Sequence, residues 1–186
     1  RGDASDSIKQ VVTLAVDGKQ QLDDFVVGLD VAGDEGHHHA CDFGSLARAF
    51  KPAFQACLPI TIHAGEGESA ENIWQAAYQL HADRIGHGLS LSEHTRRFRD
   101  RGIALELCPT SNREVVGYQD PALPPGLQAR SKPYPLLELW REGIPLTLCT
   151  DNPGISQTTL AEEYLTAARM VNGELSQWDT LAMIKQ

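Results

Sequence analysis

Residues 61–67 read T-I-H-A-G-E-G and close a short apolar run, Leu58 to Ile62, with the length and continuity of a buried strand. His63 and Glu66 stand with two residues between them where that strand gives way to a loop. In parallel α/β proteins the carboxyl edge of the sheet is where chemistry collects. An imidazole nitrogen there can bind a metal, and a neighbouring carboxyl can shuttle a proton. A lone histidine at a strand end is more often a hydrogen-bonded structural residue. Here three further strand ends carry matching parts: G-L-D-V-A-G-D-E at 28–35, R-I-G-H-G at 84–88 and T-D-N-P at 150–153. Together they turn the reading of His63, Glu66, His87 and Asp151 from structure toward chemistry.

The surrounding chain alternates strand and helix. Strands are expected at Phe25–Val31, Leu58–Ile62, Arg84–Gly86, Ile103–Leu107 and Pro145–Cys149. These are the continuous apolar runs of a parallel sheet buried on both faces. Ser69 caps a helix whose Ile73, Trp74, Ala76, Ala77 and Leu80 share a face, and Ser92 caps the next. Pro135 in a first turn and Gly143 past the end bracket Leu136–Glu142. Thr159 with Glu162, and Ser176 with Asp179, form capping-box patterns. Pro52 is expected to interrupt the helix after the second loop.

Strands and helices at this spacing imply an α/β protein with a parallel sheet, either doubly wound or a β/α barrel. There is no G-x-G-x-x-G and no G-x-x-x-x-G-K-[ST], which weakens the nucleotide-sheet options. Polar candidates at the ends of consecutive strands favour the barrel. The segment Arg113–Lys132 follows a strand and is rich in proline and glycine; it reads either as a lid or as a plain surface loop.

Bulk properties narrow the class. Of 186 residues, 41% are hydrophobic and 22% charged, enough for a sizeable core. A net charge of −9 argues against non-specific binding to nucleic acid or an anionic membrane, and no run is long enough to span a bilayer. Cys41, Cys57, Cys108 and Cys149 form no C-x-x-C pair and read as buried free thiols in a reducing, cytoplasmic setting. The chain opens on Arg1 and stops at Gln186 within an apparent helix, so a longer parent polypeptide is expected.

Each candidate has a plainer role beside the chemical one. Asp151 alone would cap the following helix. Gly33 alone would be a turn glycine. Asp30, inside a strand, reads as a buried carboxylate in need of a partner. Asp34 and Glu35 read as a solvated loop edge. His37, His38 and His39 diverge on an extended chain, so they read as a loop feature with at most adventitious metal binding. In C-P-T-S-N at 108–112, Ser111 and Asn112 either bond the backbone to shape the loop or touch substrate.

The motifs G-L-D-V-A-G-D-E, H-A-G-E, R-I-G-H-G, C-P-T-S-N and T-D-N-P occur in the order found in the adenosine deaminase family, and the chain resembles that family from about Gly28 to Pro153. The resemblance implies a TIM-type (β/α)8 barrel of the metal-dependent amidohydrolase superfamily. On this reading residues 1–186 are a partial barrel domain holding about the last five βα units. It implies Zn2+ as cofactor, with His63 and Asp151 as ligands. It implies Glu66 as proton donor to purine N1, His87 as base or electrostatic anchor, and Asp151 as the group orienting the attacking water. Gly33 would meet purine N3 through its backbone N–H. The substrate would be a small-molecule purine nucleoside, deaminated at C6, with no nucleic-acid or membrane partner. The H-x-E…P-C-x-x-C signature of deaminases that act on flipped bases is absent.

Two departures from the family pattern matter. Asn152 stands where the family has a second Asp; its N–H2 is a donor at any pH, compatible with purine N7. The family's H-x-H pair on the first strand has no counterpart in place here, and two protein ligands make a poor zinc site. Adenine, a nucleotide, or a non-catalytic barrel with a binding role therefore stand as alternatives. Arg113 and Arg130 are the nearby basic residues that would favour a phosphate.

Overall fold

A computed structural model describes residues 5–22, 25–36, 43–91, 95–128 and 132–185. In chain order the first elements are α1 (Ser5–Gln21), β1 (Leu29–Val31), α2 (Phe43–Gln55), β2 (Ile60–Ala64), α3 (Ala70–Tyr78) and β3 (Arg84–His87). They are followed by α4 (Thr95–Arg101), β4 (Ala104–Leu107), α5 (Pro109–Val116), α6 (Pro125–Gln128) and α7 (Leu136–Arg141). The chain then continues through β5 (Leu146–Leu148), α8 (Pro153–Ser156), α9 (Leu160–Met170) and α10 (Gln177–Ile184).

The strands form one sheet in the order β1-β2-β3-β4-β5. β1 pairs parallel with β2 (Asp30 opposite Thr61), and β4 parallel with β5 (Glu106 opposite Thr147). Each strand lies beside its sequence neighbour with a helix between them, and the order never reverses. A doubly wound sheet needs a reversal point, so sequential order is the topology of a β/α barrel wall.

The chain divides into two compact units, one ending at Gly86 and the other beginning at His87. In the first, Ile60, Ile62 and Ala64 of β2 are buried, as are Leu46, Ala49, Phe50 and Ala53 of α2 and Ile73, Ala76 and Ala77 of α3. In the second, Leu105, Leu107, Leu146 and Leu148 are buried with Phe98, Leu136, Leu139 and Ala167. In β4 and β5 the buried leucines alternate with half-buried Glu106 and Thr147, so one face of these strands is apolar and the other carries polar groups, as do Asp30 and Thr61 where β1 pairs with β2.

Strand bounds differ from the sequence reading for local reasons. β1 starts at Leu29, and Phe25 and Val27 are exposed. In β2, the Leu58 N–H turns back to Ala53 O (3.0 Å) and Pro59 has no N–H, so the strand begins at Ile60, whose N–H goes to Asp83 Oδ2 (2.7 Å). β2 then runs through His63 and Ala64, placing the histidine inside the strand's last turn of pleat. Pro52 does not interrupt α2; it lies inside it. An internal proline costs about 3 kcal/mol relative to alanine, and burial of Leu46, Ala49, Phe50 and Ala53 along the same helix offsets it. The cap at Ser92 falls outside the described residues.

Other caps form as the sequence implies. Ser69 accepts from the Glu71 N–H at 3.2 Å, and Thr159 accepts from the Glu162 N–H at 3.3 Å, the threonine half of the box the sequence implied. Ser176 and Asp179 make a complete capping box, and Asp179 Oδ1 also accepts from the Trp140 indole at 3.0 Å.

Glycine is required just after β3. Gly88 has φ +66°, and a β-carbon there would lie 2.6 Å from Leu105 Cδ2. Gly102 has φ +68° with open space around it. Gly102→Ala should therefore cost about 1 kcal/mol, the left-handed penalty alone, and Gly88→Ala about 2–5 kcal/mol, with overpacking added. Urea midpoints of the two variants test this; equal losses would contradict it.

Candidate active site

The first unit holds the G-D-E and H-A-G-E motifs. His63 is 23% exposed, and its Nε2 lies 3.5 Å from Asp30 Oδ2. Asp30 is not the buried carboxylate that its strand position implies: its side chain is 57% exposed. The His63 ring rests against Gly86, where a β-carbon would be 2.9 Å from His63 Cδ2. The R-I-G-H-G glycine thus makes the space that the imidazole fills.

Glu35 corrects the expectation of a solvated loop edge. It is buried, and its carboxylate accepts from the N–H groups of Gly65 (2.8 Å) and Glu66 (3.1 Å) and from Asn72 Nδ2 (2.9 Å). It therefore fixes the backbone that carries Glu66. Asp34 does lie at an exposed loop edge, accepting from the Gly36 N–H at 2.9 Å. Gly33 has φ +106°, a conformation that L side chains rarely adopt.

The second unit holds His87, C-P-T-S-N and T-D-N-P. His87 is the last residue of β3, is 2% exposed, and has φ +66°. Asp151, just past β5, has φ +57°. Left-handed backbone at non-glycine residues costs energy and clusters at functional positions. Asp151 does not cap the next helix; the N-cap of α8 is Asn152. Asp151 Oδ2 instead accepts from Ser111 Oγ at 2.6 Å, and Asn152 Oδ1 accepts from Ser156 Oγ at 2.8 Å.

Asn112 both shapes its loop and reaches the histidine. Its Oδ1 accepts from the Cys108 N–H (3.0 Å) and Tyr134 Oη–H (3.0 Å), and its Nδ2 lies 3.0 Å from His87 Nδ1. Glu163 of α9, fully buried, accepts from the Thr110 N–H (2.9 Å) and Thr158 Oγ1 (2.6 Å), tying the same loop to the helix. Burial, reinforced by the neighbouring Cys149 and by carboxylates, pushes the Cys108 thiol far above its usual value. It stays protonated and is no nucleophile. Cys57, read from sequence as buried, is exposed; Cys41 and His37–His39 fall outside the described residues.

The Arg113–Lys132 segment is held down along its described length. Its start belongs to α5, Tyr118 bridges to Lys132, and Asp120 is fully buried. Asp120 accepts from Arg113 (2.8 Å), from Arg169 (2.6 and 2.8 Å) and from the Ala122 N–H (2.9 Å). Burial alone would raise the Asp120 carboxyl, but those bonds outweigh it and hold it well below the usual carboxylate range. Arg113 also meets Glu114 at 2.6 Å, so it is committed within the fold and is not a free phosphate anchor. Arg130 lies outside the described residues.

A ring nitrogen and a carboxylate oxygen are donors that catalytic zinc uses, and His63 and Asp151 both have solvent-facing surface. Among the described residues no cluster of three or more His, Cys, Asp or Glu side chains makes a metal site. Each of the two, within its own unit, is of a donor type that zinc accepts.

The family model described as adenosine deaminase matches residues 2–184. The chain belongs to the adenosine deaminase family. It is 36% identical over 159 residues to an adenosine deaminase of Pectobacterium atrosepticum, covering 81% of this chain and 43% of that one. It is 34% identical over 164 residues to an adenine deaminase of Sinorhizobium medicae, covering 85% of this chain and 47% of that one. The fold matches an amidohydrolase from Burkhoderia ambifaria with bound zinc, at a TM-score of 0.77 and 22% identity, over 97% of this chain and 47% of that one. The chain thus spans about half the length of the relatives it matches, and its five-strand sheet is part of their barrel. Among the described residues no helix is long and apolar enough to cross a membrane.

Two bracing carboxylates, one in each unit, can be tested. Glu35→Gln sets an amide N–H2 against backbone donors, and should cost about 1–3 kcal/mol, the price of unsatisfied buried groups, read as a lowered thermal midpoint. For Asp120, the native carboxyl is depressed, so its stabilisation is present above the unfolded value of about 4 and is lost as pH falls below it. Asp120→Asn should lower the urea midpoint strongly at pH 7, by the equivalent of about 3–5 kcal/mol for a broken buried pair. The gap between variant and wild type should begin to narrow below about pH 4, as the unfolded chain's carboxyl takes up a proton while the native one stays ionised, and should go on narrowing as pH falls further. A gap unchanged with pH would refute the linkage.

Proposed function

We propose that this chain carries the proton-transfer groups and part of the metal site of a zinc-dependent 6-aminopurine deaminase, acting on adenosine to give inosine and ammonia. The observation that carries the reading is the left-handed backbone of His87 and Asp151 at two strand ends. Each is joined to the C-P-T-S-N loop, His87 through Asn112 and Asp151 through Ser111. Left-handed backbone also occurs at Cys57, His81, Gln157 and Asn172; His87 and Asp151 stand apart because each lies at a strand end with its side chain bonded to the C-P-T-S-N loop, an aiming that packing alone does not call for. It speaks against the non-catalytic alternative. The remaining barrel strands and further metal ligands would come from a longer polypeptide, since the relatives are about twice as long.

Bound zinc would supply the acidity that makes a water nucleophilic near neutral pH. His63 and Asp151 would hold the ion, and Asp151 would also orient the water toward C6. Glu66, on a loop fixed through Glu35, would donate a proton to N1 as the attack proceeds, so the ring gains an electron pair without building charge. The proton shed by the water would pass to the amino group, which leaves C6 as ammonia, and the hydroxyl proton would return to Glu66, leaving the 6-oxo purine. The Gly33 N–H would meet N3. Asn152 has its Oδ1 engaged by Ser156, which leaves its N–H2 to donate to N7.

Adenine is the second reading, favoured by the adenine deaminase among the relatives. A nucleotide is disfavoured because Arg113 is bound to Asp120 and Glu114. The free thiols of Cys57, Cys108 and Cys149 accord with a reducing, cytoplasmic setting.

The test is turnover of adenosine, adenine and AMP by the zinc-loaded full-length polypeptide and its Glu66→Ala variant, with zinc content measured on both. Adenosine should be converted, and Glu66→Ala should lower kcat by about 10²–10⁴-fold, the range for a lost general acid, while zinc content is retained. A zinc-loaded wild type that leaves all three compounds untouched would overturn the proposal.

A further inference from the structure

The Asn112 side chain meets three groups, the Cys108 N–H, Tyr134 Oη and His87 Nδ1, and their chemistry decides which nitrogen of His87 carries a proton. The Cys108 backbone N–H is an obligate donor, and it points at Asn112 Oδ1 at 3.0 Å. Tyr134 Oη lies 3.0 Å from the same oxygen. Burial, with nearby thiols and a second phenol adding to it, pushes the Tyr134 hydroxyl well above its ordinary value, so it remains a donor. Two donors on one oxygen fix the amide orientation. The group 3.0 Å from His87 Nδ1 is therefore the amide nitrogen. An amide N–H2 has hydrogens to give and no lone pair to accept with. His87 Nδ1 must then be the bare, accepting nitrogen.

From this geometry we infer that Asn112 is a positioning residue that holds His87 as the neutral Nε2–H tautomer, so that His87 serves the reaction as a hydrogen-bond donor and not as a proton acceptor at Nε2. The inference rests on the deaminase reading for its catalytic consequence, and on the Asn112 contacts alone for the tautomer. An N–H at Nε2 can stabilise negative charge that develops on the attacking oxygen. It has no lone pair with which to take the water proton, which falls instead to the carboxylate of Asp151, the group that orients the water. Asn112, Tyr134 and His87 are all fully or almost fully buried, so bulk water does not compete for these bonds.

The isosteric Asn112→Asp variant is the probe. It keeps an oxygen for Cys108 and Tyr134 and turns the other position into an acceptor, which draws a proton onto Nδ1. Long-range 1H–15N spectra of histidine-labelled, zinc-loaded full-length polypeptide read the tautomer directly, the His87 ring being assigned by its loss in His87→Gln. In the wild type, Nδ1 should have the shift of an unprotonated nitrogen and Nε2 that of a protonated one. In Asn112→Asp, Nδ1 should gain a proton, and kcat should fall about 10–100-fold, the usual effect of a lost orienting partner, with KM little changed. Asn112→Ala, which removes the constraint without reversing it, should give a mixture of tautomers and an intermediate kcat.

A protonated Nδ1 in the wild type overturns the assignment, as does an Asn112→Asp spectrum unchanged from wild type. A switched tautomer with unchanged kcat overturns the catalytic consequence. If no aminopurine is turned over by the wild type, the deaminase reading fails, and the spectra still decide the role of Asn112.

Discussion

A strand that ends must hand its backbone N–H groups to new partners, and in this chain buried side chains take them. Orphaned donors away from water cost about 1–3 kcal/mol each, so the loops at the strand ends are held or lost on this point. Glu35 takes the N–H groups of Gly65 and Glu66 after β2. Asn112 takes that of Cys108 after β4, and Glu163 that of Thr110 one turn on. Asp83 does the same before β2, receiving Ile60. Two acceptors come from loops and two from helices α5 and α9, so the sheet edge is knitted to its surroundings by short polar bonds and not by apolar packing alone. A charged acceptor makes such bonds shorter and stronger than a neutral one.

The same device separates the two kinds of residue in each motif. In G-D-E the aspartate faces outward and the glutamate turns in to hold another loop. In C-P-T-S-N, Thr110 is held through its backbone, Ser111 reaches Asp151 and Asn112 reaches His87. A motif of adjacent letters is thus a small fixture, in which successive side chains point to different tasks. His87 and Asp151 adopt left-handed backbone, and the bonds from Asn112 and Ser111 give that unfavourable conformation a reason to persist.

How legible was this in the sequence? The strand–helix alternation, the Ser69 cap and the Ser176–Asp179 box were readable because each depends on residues a few positions apart. His63, Glu66, His87 and Asp151 stood out because they recur at strand ends. Glu35, Asn112 and Glu163 were read too modestly or passed over. Their partners lie 30, 25 and 53 positions away, and no local pattern encodes such a meeting. Pro52 misled in the opposite direction: a correct local rule was outweighed by burial along α2. Asp30 was expected inside because it lies in a strand, but its side chain faces outward beside His63. Arg113 looked like a free cation until its buried partner, Asp120, was placed beside it.

The contact between Gly86 and the His63 ring bears on how this site can change over generations. The ring occupies the space that any side chain at 86 would need. The two positions are therefore epistatic. A larger residue at 86 is accepted only after the imidazole has gone, and by then the ring nitrogen that meets Asp30 has gone with it. Drift at position 86 is blocked while the histidine serves and opens only in a lineage that has abandoned it. Among descendants of this sequence, a non-glycine residue at 86 would mark a chain whose position 63 no longer carries an imidazole.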